Sequence, residues 1–184
     1  MQRRTALKNI AFSGLGIGLS SSLLSVMSGC SSAYDPGYAP QTFTPAQDEL
    51  VATLVEQIIP TTETPGARAA GVHQYIDRVL ALAKPEAETH TFVEGLAWLD
   101  AQAAAAGAQT FVALAPAAQT DILRQAEAAA QDSETPAFFT LLKHMTIYGY
   151  YTSEIGASQE LRYVHAAGVY RGDMPYSEVG KNYF

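Results

Sequence analysis

The sequence has one cysteine, one tryptophan and no local motif of a familiar catalytic centre. A lone thiol, Cys30, closes no internal disulfide and supplies neither a multi-cysteine metal site nor a covalently attached haem. The four histidines, His73, His90, His144 and His165, are scattered along the chain, and none is read as one of a pair of helical metal ligands. There is no CxxCH, no GxGxxG, no Walker loop and no GxSxG. These absences argue against a catalytic apparatus, a bound cofactor or a metal centre in this chain, and leave binding or assembly as the function classes to test.

Basic residues are scarce as well. Three of the 11 lie before residue 30, where there is no acidic residue, so the remainder sets eight basic residues against 18 acidic ones, net −10. A surface of that sign does not suit nucleic acid, whose phosphates need Lys and Arg. Nor does it favour docking on anionic lipid, so any hold on a membrane would come through a lipid anchor at most.

A continuous apolar run is also missing. Residues 9–27 are apolar but diluted by Gly14, Gly16, Gly18 and the serines at 20, 21, 22 and 25, short of the roughly 20 predominantly apolar residues that a membrane-spanning helix needs. With Arg3-Arg4 ahead of it, this stretch resembles an export signal of the twin-arginine kind, which serves proteins that cross a membrane already folded. An ordinary secretory signal with two arginines is the other reading. The residues Met27-Ser28-Gly29-Cys30 resemble a lipoprotein cleavage site, which would make Cys30 the lipidated residue. Residues 1–29 are thus read as signal and 30–44, rich in Pro, Gly and Ser, as a tether.

What remains, 45–184, is enough chain for one core. Thr44-Pro45-Ala46-Gln47 has the form of a capping box with proline at the first helical position. Leu50, Val51, Leu54, Val55, Ile58 and Ile59 then recur at helical spacing until Pro60. A second helix is expected to carry Ala67, Ala70, Val72, Tyr75, Ile76, Val79 and Leu80. A third opens at Pro85 and runs through Phe92, Leu96 and Leu99 to Gly107, a fourth follows Pro116, and a fifth follows Thr135-Pro136. No alternating strand pattern competes, so the fold class is all-α, a small bundle of about five helices.

From about Gly149 the text turns irregular and rich in Gly and Tyr, and seven of the ten tyrosines fall between Tyr148 and the end. Tyrosine offers a large apolar body with a polar tip, which suits partner surfaces. Tyr148, Tyr150, Tyr151, Tyr163 and Tyr170 are therefore the candidate interface residues. The competing reading has the tail packing its rings across its own bundle.

Two stretches carry a family likeness. IIPTTETPGARAAGVHQYID (58–77) combines a proline-ended helix, a threonine-rich loop and PGA-x-x-AGV. FFTLLKHMTIYGYYTSEIG (138–156) is followed by Leu161-Arg162-Tyr163 and Pro175-Tyr176. Together they resemble the gluconate 2-dehydrogenase subunit 3 family. The resemblance implies an accessory subunit with no catalytic residue, cofactor or metal of its own. Its partner would be an FAD-dependent dehydrogenase of the glucose-methanol-choline type that oxidises a sugar, sugar acid or polyol. A multihaem cytochrome c is often the third member, so FAD and haem c would belong to partner subunits. The small subunit would carry the signal to the twin-arginine export machinery, aid the partner's maturation and bring it to the periplasm. A standalone lipid-anchored binding protein of the periplasm, with a ligand held between helices, is the alternative. A histidine-based catalytic site of unfamiliar form is a third.

Overall fold

The computed structural model describes residues 37–131, 136–166, 168 and 171–182. Arg3, Arg4, Cys30 and Tyr170 lie outside the described residues. Helix α1 (Pro45–Ile58) leads to α2 (Val72–Leu82), α3 (Glu86–Ala105), a 3-10 turn (Phe111–Ala113), α4 (Pro116–Gln131) and α5 (Pro136–Tyr151). A π-helical turn (Gly156–Glu160) and the short α6 (Tyr176–Val179) follow. Among the described residues there is no strand, and no helix is long and apolar enough to cross a membrane.

The start of α1 is fixed by local chemistry. The Gln47 N–H donates to Thr44 Oγ1 at 3.3 Å, and Gln47 Oε1 accepts from the Thr44 N–H at 2.9 Å, which closes the capping box. At its other end Pro60 cannot donate an amide, and Ile59 has already left helical geometry.

The second helix begins later than the apolar spacing implies. Gly71 sits at φ +69°, left-handed backbone that other residues rarely adopt, and α2 opens at Val72. Ala67 and Ala70 are buried as expected, but within a turn that packs on the core rather than within the helix. Glu56 organises the loop before it: its carboxylate accepts from the Thr61 amide (2.8 Å), the Thr61 hydroxyl (2.7 Å) and the Arg68 amide (3.1 Å).

Helix α5 packs against each of the other four long helices. Its composition explains that place: Phe138, Phe139, Leu142, Met145, Thr146 and Tyr150 are buried and point to several sides, so the helix has more than one apolar face. In the core, Phe92 of α3 stacks on Phe43 at 5.7 Å and meets Phe138 edge-on at 5.2 Å.

The irregular tail also starts later than the text suggests. Helix α5 runs through Gly149 to Tyr151, because Gly149 is a packing position: a Cβ there would lie 2.6 Å from the Tyr75 ring of α2. Beyond the π-helical turn the chain folds back on itself. The Arg162 amide donates to the Asn182 carbonyl at 2.8 Å, and its guanidinium reaches the carbonyls of Glu178 and Val179 at 3.3 and 3.1 Å.

Candidate partner interface

Helix α2 has two apolar stripes. Val72, Ile76 and Leu80 face the core, while Tyr75, Val79 and Leu82 recur three and four residues apart on the adjoining side. A helix that only packs on a core needs one such stripe. Tyr75 and Val79 of the second stripe line an open groove of about 510 Å³ between α2 and α5, walled also by Leu141, Met145, Ile147 and Tyr148. Lys84 and His144 complete its lining, so no carboxylate faces it. Lys84 is held by Glu88 one turn into α3, at 2.8 Å.

The rim is where large apolar side chains meet solvent. Tyr148 is 64% exposed, with Ile147 also exposed beside it, and Leu82, in line with Tyr75 and Val79 at the end of α2, is 77% exposed. The Tyr75 and Tyr148 rings lie 6.4 Å apart. Burial, and then the neighbouring Tyr148, push the Tyr75 hydroxyl above its ordinary value, so it is a neutral hydrogen-bonding group at any physiological pH. Contiguous exposed apolar surface rimmed by polar groups marks an interaction site on a soluble domain.

The expected tyrosines divide. Tyr148 is on the groove and exposed, and Tyr163 is 53% exposed on the tail, where its hydroxyl lies 3.3 Å from His165 Nδ1. Tyr150 is corrected to a core residue: it is 1% exposed, and its hydroxyl donates to the Pro65 carbonyl at 2.8 Å, so a docked partner could not reach it. Tyr151 is half-buried, edge-on to Tyr150 at 5.4 Å, and packs against the core. Leu82, Ile147, Tyr75 and Val79 were not among the expected interface residues. The signal for them was the second stripe of α2.

The histidines also need a correction. His73 and Asp77, and His90 and Glu94, do stand at i and i+4, a spacing that helical ligands use. Neither pair is a metal site by geometry: Asp77 spends its carboxylate on hydrogen bonds to residues 38–43, and His90 meets Glu94 at 3.3 Å on the exposed face of α3. His73 is buried, and burial holds its pKa below the ordinary imidazole value, with Asp48 opposing. Asp48 is pushed up by its own burial, with His73 opposing. Among the described residues no group of three or more His, Cys, Asp or Glu could hold a metal ion.

The family described as gluconate 2-dehydrogenase subunit 3 matches residues 45–168, from the first residue of α1 past the end of α5. The chain belongs to that family. It is therefore a subunit associated with a dehydrogenase complex, and the α2–α5 groove lies wholly within the matched span. Comparison with curated proteins and with solved structures returned no match.

Proposed function

We propose that this subunit is non-catalytic and holds the catalytic subunit of its complex on the α2–α5 groove. That partner is an FAD-dependent dehydrogenase of the glucose-methanol-choline type acting on a sugar, sugar acid or polyol. Flavin chemistry belongs to the partner, and haem c to a cytochrome subunit where the complex has one. Arg3 and Arg4 address the assembled pair to the twin-arginine export machinery, and the complex works in the periplasm, with Cys30 as its lipid attachment.

One observation carries this reading: a member of a dehydrogenase-subunit family exposes Ile147 and Tyr148 on an open apolar groove, with Leu82 exposed in line with the groove residues Tyr75 and Val79. A standalone binding protein would enclose its ligand and cover such side chains. The twin-arginine route adds a reason for the partnership. A flavoprotein that folds around FAD inside the cell needs a passage for folded cargo, and the small subunit supplies the signal.

The test replaces Arg3 and Arg4 by lysine in cells that also make the flavoprotein, and measures dehydrogenase protein and activity in the periplasmic fraction. The expected result is that both stay in the cytoplasm. Active partner arriving in the periplasm at the unaltered level would overturn the carrier role.

A further inference from the structure

The end of the expected tether is not slack. Asp77 lies on the buried side of α2, and three consecutive backbone amides converge on its carboxylate: Gln41 at 2.8 Å, Thr42 at 2.9 Å and Phe43 at 3.0 Å. The Tyr38 hydroxyl donates to the same carboxylate, and the Thr42 hydroxyl donates to the Asp77 carbonyl at 3.2 Å. The Arg78 guanidinium covers the Tyr38 ring, 4.6 Å from its centre. Hydrogen bonds to an ionised acceptor are the strong ones. Burial raises the Asp77 pKa, but these donors outweigh it and hold the carboxyl below its ordinary range. Burial and the bond to Asp77 push the Tyr38 hydroxyl up to about 12.

The two ends of this segment are held differently. Phe43 is part of the core, stacked on Phe92, and cannot leave without opening the bundle. Residues 38–42 lie at the surface, with Ala39 and Gln41 exposed, and are held through Asp77 and Arg78. A segment fixed by a few polar contacts opens separately from the domain beneath it.

We propose that residues 38–42 form a releasable strap latched by Asp77, and that export requires the latched form. The latch exists only once α2 has folded, because it needs Asp77 and Arg78 at their helical positions beside Phe43. The chain thus enters the domain at a point that is fixed in the folded subunit and loose in an unfolded one, a difference that a route for folded cargo can read. This rests on the twin-arginine reading above.

Two variants of the full chain test it, made together with the flavoprotein. Asp77→Ala removes the acceptor. The double variant Tyr38→Phe/Gln41→Pro removes two donors and leaves α2 untouched. Hydrogen exchange should show the Thr42 amide exchanging about tenfold or more faster in both, with α1 to α5 still protected in the double variant. Exported subunit should fall several-fold. Open straps with export at the unaltered level would overturn the proposal, as would loss of protection throughout the bundle in the double variant, since the strap would then be part of the core. The arginine-to-lysine variant run in parallel separates the two readings. If it leaves export unchanged, the carrier role fails and with it the strap's export role, while the exchange pattern still decides whether Asp77 is a latch.

Discussion

Truncating the exposed apolar side chains on the groove and on the α2 stripe beside it should separate partner binding from folding. In the free subunit Leu82 and Tyr148 are mostly in water, 77% and 64% exposed, so Leu82→Ala and Tyr148→Ala remove little that the fold uses. Surface changes of this kind stay within about 0.5 kcal/mol, with a little more for Tyr148 because its ring meets Tyr75. In the complex the same side chains would be covered. Fully burying a large apolar side chain contributes roughly 1.5–3 kcal/mol, and these two still have most of their surface left to bury. Each truncation should therefore cost about 1–2 kcal/mol of binding, and the double variant about 2–4 kcal/mol, or roughly 30- to 1,000-fold in Kd. Calorimetric titration of the purified flavoprotein with each variant measures this, and thermal melting of the lone subunit checks that the fold is intact. Val112→Ala, at an exposed position on the 3-10 turn outside the groove, serves as the control. A loss of less than about threefold for the double variant would refute the groove as the docking face, since interface energy concentrates in such apolar anchors. If Tyr163→Ala then abolished binding, the tail would be that face.

Two further outcomes follow from the interior. A Cβ at Gly95 of α3 would lie 2.0 Å from Cγ of the Phe138 ring, which is itself wedged against Phe92, so Gly95→Ala should lower the melting temperature by several degrees: overpacking at about 1–3 kcal/mol outweighs the helix-propensity gain of about 1 kcal/mol, and an unchanged or higher melting temperature would show that the ring moves aside freely. His73 should make the fold sensitive to mild acid: its folded pKa is lowered by burial, so the unfolded chain takes up the proton first, and the stability His73 contributes is complete above pH ~7 and lost as pH falls from about 6.5 towards the folded value. Asp48, raised by burial, works in the opposite sense at lower pH. Urea titrations of the wild type and His73→Gln across pH 8 to 5.5 should show the loss only in the wild type, and equal slopes would dispose of the assignment.

Helix ends governed by neighbouring residues could be read from the text. The capping box at Thr44 and Gln47, the stop at Pro60 and the close of α3 before Gly107, which takes φ +84°, all depend on contacts within a few residues. The errors came where a residue's role is set at long range. Gly149 looked like the start of the irregular tail, yet its requirement is the Tyr75 ring across the α2–α5 contact. Tyr150 looked like a surface tyrosine, and only the Pro65 carbonyl, 85 residues away, lets it bury its hydroxyl. Asp77 shares a helical face with Ile76 and Leu80, an anomaly visible in the sequence. Its meaning needed the amides of residues 41–43, 34 to 36 positions earlier. The groove was legible in principle, since Tyr75, Val79 and Leu82 are too many apolar residues for one core-facing stripe. What covers a second stripe is not written in the helix that carries it.

Helix α2 therefore bears two tasks on different faces of 11 residues. Its core side holds the strap through Asp77, and its outer side gives Tyr75 and Val79 to the groove. Three turns of α-helix move as one body, because every turn is closed by its own hydrogen bonds. Anything that displaces α2 thus shifts both the strap and the groove. Three contacts oppose such a displacement: the left-handed turn at Gly71, the Glu56-bound loop before it, and the close approach of Gly149 to Tyr75. The last is the most telling, because it sets the depth at which Tyr75 stands in the groove wall. A side chain at 149 would meet that ring at 2.6 Å and displace it, altering the groove wall from behind. The PGA-x-x-AGV and GYYTS stretches are thus the two sides of one joint. The first shapes the start of α2, and the second lets α5 come close enough to form the groove with it.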